Sequence, residues 1–414
     1  MNVLFTTVFG EKPDYFRISV TDKRFRYSLP SPPFGLRFLK ENVRGIDILE
    51  YPSFDEFRKC LKDVDVLGIS FYMADIPKVI KMVEFARKHG VKEIWGGNYG
   101  VLTPGIEKYF DRVFVGYAEK DVAKIINGEQ VKTIKHPEII TTFGVYRTPF
   151  RISHAFLFTT RGCRMGCKFC QTPCFIDGVR TLPLESIEDV VKRYKERGVK
   201  SVFIMDDNFF GERKYSEKVL EILERYELNW GVCTRAENLA GRVKEFRDMG
   251  MINCIIGIES LKQENLDFVD KRTKVDLLLN TIEELNENRI YIHGTCMIGF
   301  ENDTKTSLKK DIDEFSKLKV HSLQICVLTP FPRTPLWGYI EGRYGIHKDD
   351  YSKFDAYHLV WNHPNIRPEE MDSILEYARF RCYPSIRVLT GFMQMVRRGM
   401  FWRFFSPFKQ SLSV

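Results

Sequence analysis

Short apolar runs punctuate the first 120 residues, and amphipathic stretches separate them. NVLFTTV (2–8), IDILEY (46–51), DVLGISFY (65–72), VKEIWGG (91–97) and RVFVGYAE (112–119) read as strands. LRFLKENVRG ending at Gly45, FDEFRKCLKDV and IPKVIKMVEFARKHG read as the helices between them. Strands that alternate with helices and are nearly all apolar predict a parallel, doubly wound sheet with both faces covered. A ligand edge is then expected at the strand C-termini, from Ser70 to Tyr72, Gly96 to Tyr99 and Gly116 to Glu119. Residues 126–154 are polar, are broken by Pro137 and Pro149, and read as a connector after a first domain over 1–125. The alternation restarts at AFLFTT (155–160) and continues through SVFIMDD (201–207), NWGVCTR (229–235), NCIIGIE (253–259), IYIHGTCMIGF (290–300) and SLQICVLTP (322–330). These strand–helix units predict a partial (β/α)6 barrel over 155–337, followed by a mainly helical region over 338–414. In such barrels chemistry gathers at the C-terminal ends of the strands.

The composition narrows the class. The 414 residues are 44% hydrophobic and 29% charged, enough to bury large cores. A net charge of +8 is mild for this length and gives no reason to expect a nucleic-acid partner. The chain has no run of about 18 apolar residues and no signal-peptide layout, so a cytoplasmic location is expected. In a reducing compartment, clustered cysteines read as metal ligands and not as disulfides.

Such a cluster follows the first barrel strand. TTRGCRMGCKFCQTPCF places Cys163, Cys167 and Cys170 at C-x3-C-x2-C, with Gly162 and Gly166 able to turn the loop sharply. Thiolates are soft ligands suited to iron–sulfur chemistry. Three of them can hold three corners of a [4Fe–4S] cube and leave the fourth iron open for a substrate. Two other readings stand beside this one. A structural zinc site needs four ligands, often as two pairs. A closed electron-transfer cluster could recruit Cys174, which extends the run by x3-C.

At these residues the chain resembles the radical S-adenosylmethionine superfamily, and most of all its branch with an N-terminal cobalamin-binding domain. The cysteine loop carries the resemblance with FIMDDNFF (203–210), TRAENL (234–239), GIES (257–260), CMIGFENDT (296–304) and LTPFPRTPLW (328–337). The N-terminal part adds PPFGLRFLKE (32–41), DVLGISFYMAD (65–75), WGGNYGVLTPG (95–105) and FVGYAE (114–119). The resemblance implies a [4Fe–4S] cluster on the three cysteines, S-adenosylmethionine cleaved to a 5′-deoxyadenosyl radical, and cobalamin on the first domain. It implies that Phe169 shields the cluster and touches the adenine. Asp206, Asp207 and Asn208 would lie near the methionyl part, Arg235 and Glu259 near the carboxylate and ribose, and Ile298 and Gly299 along the adenine. Glu259 could instead pair with Arg235. The cobalamin contacts would come from Ser70, Tyr72, Gly96, Gly97 and Gly116. No D-x-H-x-x-G motif supplies an axial histidine, and the first histidine is His89. A methylthiotransferase, whose first domain holds a second cluster, does not fit, because that part has only Cys60.

The resulting expectation is a cobalamin-dependent C-methyltransferase acting on a small-molecule or lipid-like substrate and fed by an external electron donor such as ferredoxin or flavodoxin. The alternatives are a radical cyclase, mutase or oxidoreductase, and an iron–sulfur electron carrier. The aromatic, basic segment 391–409 suits a helix closing the barrel mouth, or a peripheral attachment to a membrane surface.

Overall fold

The computed structural model describes residues 1–10, 32–144 and 151–382, with the short pieces 18–19 and 26–27 and residue 393. Apart from Met393, the segment 391–409 lies outside the described residues.

The first sheet contains β1 (Val3–Thr7), β2 (Ile46–Leu49), β3 (Val66–Ser70), β4 (Glu93–Gly97) and β5 (Arg112–Val113). All pairs are parallel, in the order β2-β1-β3-β4-β5. The order reverses between β1 and β3, which opens a crevice at the strand C-termini. Burial on both faces explains the unbroken apolar runs: Leu67, Ile69 and Ile94 are buried on one face, and Val66 and Trp95 on the other. Helix Ile76–Lys88 covers the sheet with Val79, Met82, Val83 and Ala86, the three-and-four spacing of one helical face. The fifth strand is shorter than the run 112–119 suggested. Phe114 N–H still donates to Gly96 O at 2.8 Å, and then Gly116 turns the chain at φ +95° towards helix Glu119–Asn127.

The second sheet is a curled, open half-barrel in sequential order, β6 (Ile140–Gly144), β7 (Arg151–Leu157), β8 (Ser201–Ile204), β9 (Asn229–Thr234), β10 (Met251–Glu259), β11 (Tyr291–Ile298) and β12 (Ser322–Val327). From β7 onward the pairs are parallel, and β6 runs antiparallel to β7. The stretch read as a connector therefore supplies an edge strand, and β7 starts four residues earlier than its apolar run. After β12 come helices Pro335–Arg343 and Pro368–Cys382. The latter packs on helix Lys305–Lys317, where Tyr377 Oη and Arg381 Nε donate to Asp313 Oδ1 at 2.8 and 2.6 Å. Among the described residues no helix is long and apolar enough to cross a membrane.

An aromatic seam joins the two sheets. The Phe34 ring lies 5.3 Å from Phe156 and 4.7 Å from Phe158, and the Phe38 ring lies 5.9 Å from Phe158 and 5.1 Å from His136. Such edge-to-face pairs contribute about 0.5–1.5 kcal/mol each beyond their buried area. Within the seam, His136 Nε2 accepts from Phe158 N–H at 2.8 Å and Nδ1 faces Pro137 O at 2.6 Å. One donor and one acceptor require the neutral ring, and burial pushes its pKa down to about 3.

Candidate active site

The cysteine loop leaves β7 at the C-terminal mouth of the half-barrel and is pinned along its length. At Gly162 (φ +94°) a Cβ would lie 2.3 Å from Gly178 O, so only glycine fits. Gly166 makes a second left-handed turn at φ +68°. Lys168 N–H donates to Val269 O at 3.0 Å, and Lys168 O accepts from Leu336 N–H at 3.0 Å. Cys167 is buried, while Cys163, Phe169 and Cys170 are half-buried at the same turn.

The thiols suit a cluster. Burial raises the pKa of Cys163, and pushes that of Cys170 up to about 11. Bare thiolates are thus disfavoured, and bound iron is the positive charge that would hold them ionised. Arg235 Nη1 donates to Cys167 Sγ at 3.6 Å. Among the described residues no three His, Cys, Asp or Glu side chains converge as one metal ion demands. A cluster, with one iron per thiolate, does not require that convergence. Cys174 Sγ turns to a different partner, donating to Arg333 O at 3.1 Å.

Of the expected residues at the barrel strand ends, Asp206, Asp207 and Arg235 bond directly to this loop or its root, and Asn208, Glu259, Ile298 and Gly299 have other partners. Asp206 is buried beneath the loop's root. It accepts from Thr159 N–H (2.7 Å), Thr159 Oγ1 (2.5 Å), Thr160 N–H (2.9 Å) and Thr160 Oγ1 (2.8 Å). Burial pushes its pKa up to about 6 against the opposing pull of these bonds. Its neighbour Asp207 accepts from Gly162 N–H at 3.0 Å and Thr172 Oγ1 at 3.1 Å, bracketing the loop. Desolvation raises its pKa as well. Asn208 accepts from Thr234 Oγ1 at 3.2 Å and Asn238 Nδ2 at 2.9 Å, tying β8 to β9.

Arg235 and Glu259 do not pair with each other. Arg235 Nη2 donates to Glu237 Oε1 at 2.7 Å and to Lys271 O. Glu259 instead takes Lys271 Nζ at 2.7 Å, with both side chains buried. The physical reason is local: the β10–β11 register shifts between Gly257 and Glu259, and Glu259 adopts φ +61°. Ile298 and Gly299 each have one polar backbone atom engaged within the protein. Ile298 O accepts from Leu328 N–H at 2.8 Å, and Gly299 N–H donates to Asp303 Oδ2 at 3.1 Å.

The ligand edge of the first sheet abuts the loop. Ser70 is half-buried at the end of β3. Tyr72 is 55% exposed, and Val115 and Tyr117 are also exposed. The Tyr72 ring lies parallel to Tyr99 at 6.3 Å, and Tyr99 stacks on Phe175, just past the cysteines, at 4.4 Å. Gly97 has open space where a Cβ would stand, and at Gly116 a Cβ would come within 3.1 Å of Phe175 O. Gly96 is different: it is buried, and Phe110 fills the space over it at 3.0 Å. The turn Tyr351–Lys353 packs on Met73–Asp75 and helix Ile76–Lys88 beside this edge. An exposed apolar edge with a bare glycine fits a broad, flat, largely apolar ligand. His89 is not on it. Its ring stacks on Phe85 at 3.8 Å at the end of helix Ile76–Lys88.

Sequence reasoning reached Tyr99 and Glu119 only as the ends of the ligand edge, and it overlooked Lys271 and the pairing of Arg161 with Glu119. A signal for Arg161 was present in its position two residues before Cys163. Lys271 gave none without the fold.

Residues 157–315 match the Radical SAM superfamily. The chain is 26% identical over 223 residues to the bacteriochlorophyllide d C-12(1)-methyltransferase of Chlorobaculum tepidum, covering 52% of this chain and 48% of that protein. It thus spans about half the length of this relative. It is 22% identical over 408 residues to an uncharacterized methyltransferase of Pyrococcus horikoshii, covering 86% of this chain and 89% of that one. The fold is similar, at TM-score 0.63 and 15% identity, to the radical S-adenosylmethionine methyltransferase TsrM of Kitasatospora setae with cobalamin and a [4Fe–4S] cluster bound, covering 83% and 75% of the two chains.

Proposed function

We propose, from the premise that this chain is a radical S-adenosylmethionine superfamily enzyme, that it is a cobalamin-dependent methyltransferase acting on an unactivated carbon of a small or lipid-like molecule. The observation that carries the reading is the juxtaposition of two surfaces. A three-cysteine loop at the barrel mouth faces an exposed aromatic edge, joined to it by Tyr99 stacked on Phe175 at 4.4 Å. Cys163, Cys167 and Cys170 would hold a [4Fe–4S] cluster, and Tyr72, Gly97 and Gly116 would border cobalamin. When bound, the cluster with S-adenosylmethionine supplies a 5′-deoxyadenosyl radical, and cobalamin supplies a transferable methyl group.

The chain's own residues prepare that chemistry. Arg235 donates to the Cys167 sulfur and stabilises its negative charge. Asp206 and Asp207 fix both ends of the loop by accepting from Thr159, Thr160, Gly162 and Thr172. Glu259, paired with Lys271, would accept hydroxyl groups and not attract a cation. Cys174, engaged at the Arg333 carbonyl, leaves three sulfurs for the cluster and one iron corner for S-adenosylmethionine. The seam and the buried barrel floor keep water from a radical held at the mouth. An external electron donor such as ferredoxin or flavodoxin would provide the electrons. Similarity to a bacteriochlorophyllide d methyltransferase favours a methyl acceptor with a large flat or apolar body.

The test is anaerobic reconstitution with iron, sulfide, hydroxocobalamin, S-adenosylmethionine and a strong reductant. The reading expects cobalamin bound after gel filtration, and both 5′-deoxyadenosine and S-adenosylhomocysteine among the products. Deoxyadenosine without homocysteine product would move the reading to a radical cyclase, mutase or oxidoreductase. Neither product, with four sulfur ligands to iron, would leave an electron carrier.

A further inference from the structure

We infer that the buried pair of Arg161 and Glu119 couples the aromatic edge of the first sheet to the cysteine loop, so that a ligand on the edge and a cluster on the loop influence each other's binding. This inference rests on the proposed cofactors. Arg161 Nη2 and Nη1 donate to Glu119 Oε1 and Oε2 at 2.7 and 3.1 Å, with the side chains only 7% and 4% exposed. The guanidinium carbon also lies 4.0 Å from the centre of the Tyr117 ring and 4.6 Å from that of Phe38. A planar fork can make two parallel hydrogen bonds and lie against rings at once, whereas a lysine ammonium cannot. Glu119 opens helix Glu119–Asn127, where the helix dipole favours a carboxylate.

The position of the pair gives it consequences. Arg161 precedes Gly162 and Cys163, and there is little slack between them. Gly162 N–H is held by Asp207, and Gly178 O closes the space at its α-carbon. A shift of the guanidinium is therefore passed to the first cluster thiolate. On the other side, Tyr117 is 37% exposed on the edge and lies 5.8 Å from the Phe175 ring. A ligand settling on the edge would touch Tyr117, which already touches Arg161. The loop is thus held by the first sheet upstream through Arg161 and downstream through Phe175. Arg161 and Glu119 are positioning residues, and thermodynamic linkage makes their effect reciprocal.

The test measures hydroxocobalamin affinity of the full chain with and without the reconstituted cluster, and the electron paramagnetic resonance spectrum of the reduced cluster with and without hydroxocobalamin. For the unaltered protein, cluster loading is expected to tighten hydroxocobalamin by about five-fold or more, and hydroxocobalamin is expected to change the cluster spectrum. In Arg161→Lys and Glu119→Gln both effects should disappear while iron content is retained. The double reversal Arg161→Glu with Glu119→Arg should restore part of both. Should these variants be unstable, Tyr117→Leu, which leaves the ion pair in place, should also lose the coupling. Variants that keep the full ratio and the full spectral change would overturn the inference. Equal hydroxocobalamin affinity in both states of the unaltered protein would overturn it too, while leaving the cofactor reading intact. No hydroxocobalamin binding at all would remove that reading and this inference together.

Discussion

The mouth of the half-barrel and the edge of the first sheet meet at the cysteine loop, yet they are built on opposite principles. At the mouth, Asp206, Arg235 and Glu259 already have partners from the same chain. Four donors surround Asp206, Lys271 neutralises Glu259, and Arg235 is divided between Glu237, Lys271 O and the Cys167 sulfur. At the edge, Tyr72, Val115, Tyr117 and the open space over Gly97 face outward. The first region is a set frame that holds reactive groups in place. The second is, among the described residues, an exposed apolar surface. Substitutions at the mouth should therefore cost stability, and substitutions at the edge should cost ligand.

The cysteines mark the extreme of that contrast. Cys163→Ala, Cys167→Ala or Cys170→Ala should each reduce deoxyadenosine formation to background, with iron and sulfide lost in the assay. Cys174→Ala should keep both, since its thiol serves the Arg333 carbonyl. A Cys174→Ala protein lacking iron would show that a fourth sulfur is a ligand.

Next in size is Lys271→Met, which strands the Glu259 carboxylate in a buried site. Removing one member of a buried ion pair costs about 3–5 kcal/mol, to be read from urea unfolding of the metal-free protein. A loss below about 1 kcal/mol would mean that water reaches the pair and that the mouth is less closed than described.

Asp206 gives a smaller effect with a defined pH sign. Its folded pKa of about 6 lies above the 3.8 of an unburied Asp. The folded state thus holds the proton more tightly. The corresponding stability is fully present below pH 4 and is lost as pH rises through 6, an amount of about 3 kcal/mol. Asp206→Asn should flatten the stability profile between pH 4 and 7, measured as the unfolding midpoint of the metal-free protein. It should also lower stability near neutral pH, because an amide nitrogen would face the Thr159 and Thr160 donors. An unchanged pH slope would mean that the carboxylate is not the group responsible.

The smallest change in stability belongs to the edge. Gly97→Ala places a methyl group in open space, so unfolding should shift by no more than about 0.5 kcal/mol. Hydroxocobalamin retention should nevertheless fall. Gly96→Ala should do the reverse, because its Cβ would press on Phe110.

The parallel strands were legible because burial on both faces leaves an apolar signature that survives without any contact information. β6 was not. An antiparallel edge strand between prolines carries no such run, and Ile140–Gly144 finds its place only against β7. β5 was overestimated because FVGYAE is apolar for a different reason: it lines the edge, and Gly116 breaks the strand. The close spacing of the three cysteines was legible, and the structure carries them on one turn pinned by Lys168 to Val269 and Leu336. The partners of Glu259 and Arg235 were not legible, since a register shift and a left-handed residue decide which side chain each one meets.

The aromatic seam has a practical consequence for anyone dividing the chain. A fragment beginning after the first sheet would keep every cysteine of the loop but would bring Phe156, Phe158 and Phe175 to the surface without Phe34, Phe38 and Tyr99. Such a fragment is expected to collect in inclusion bodies when expressed alone, and co-expression with residues 1–125 should return it to the supernatant.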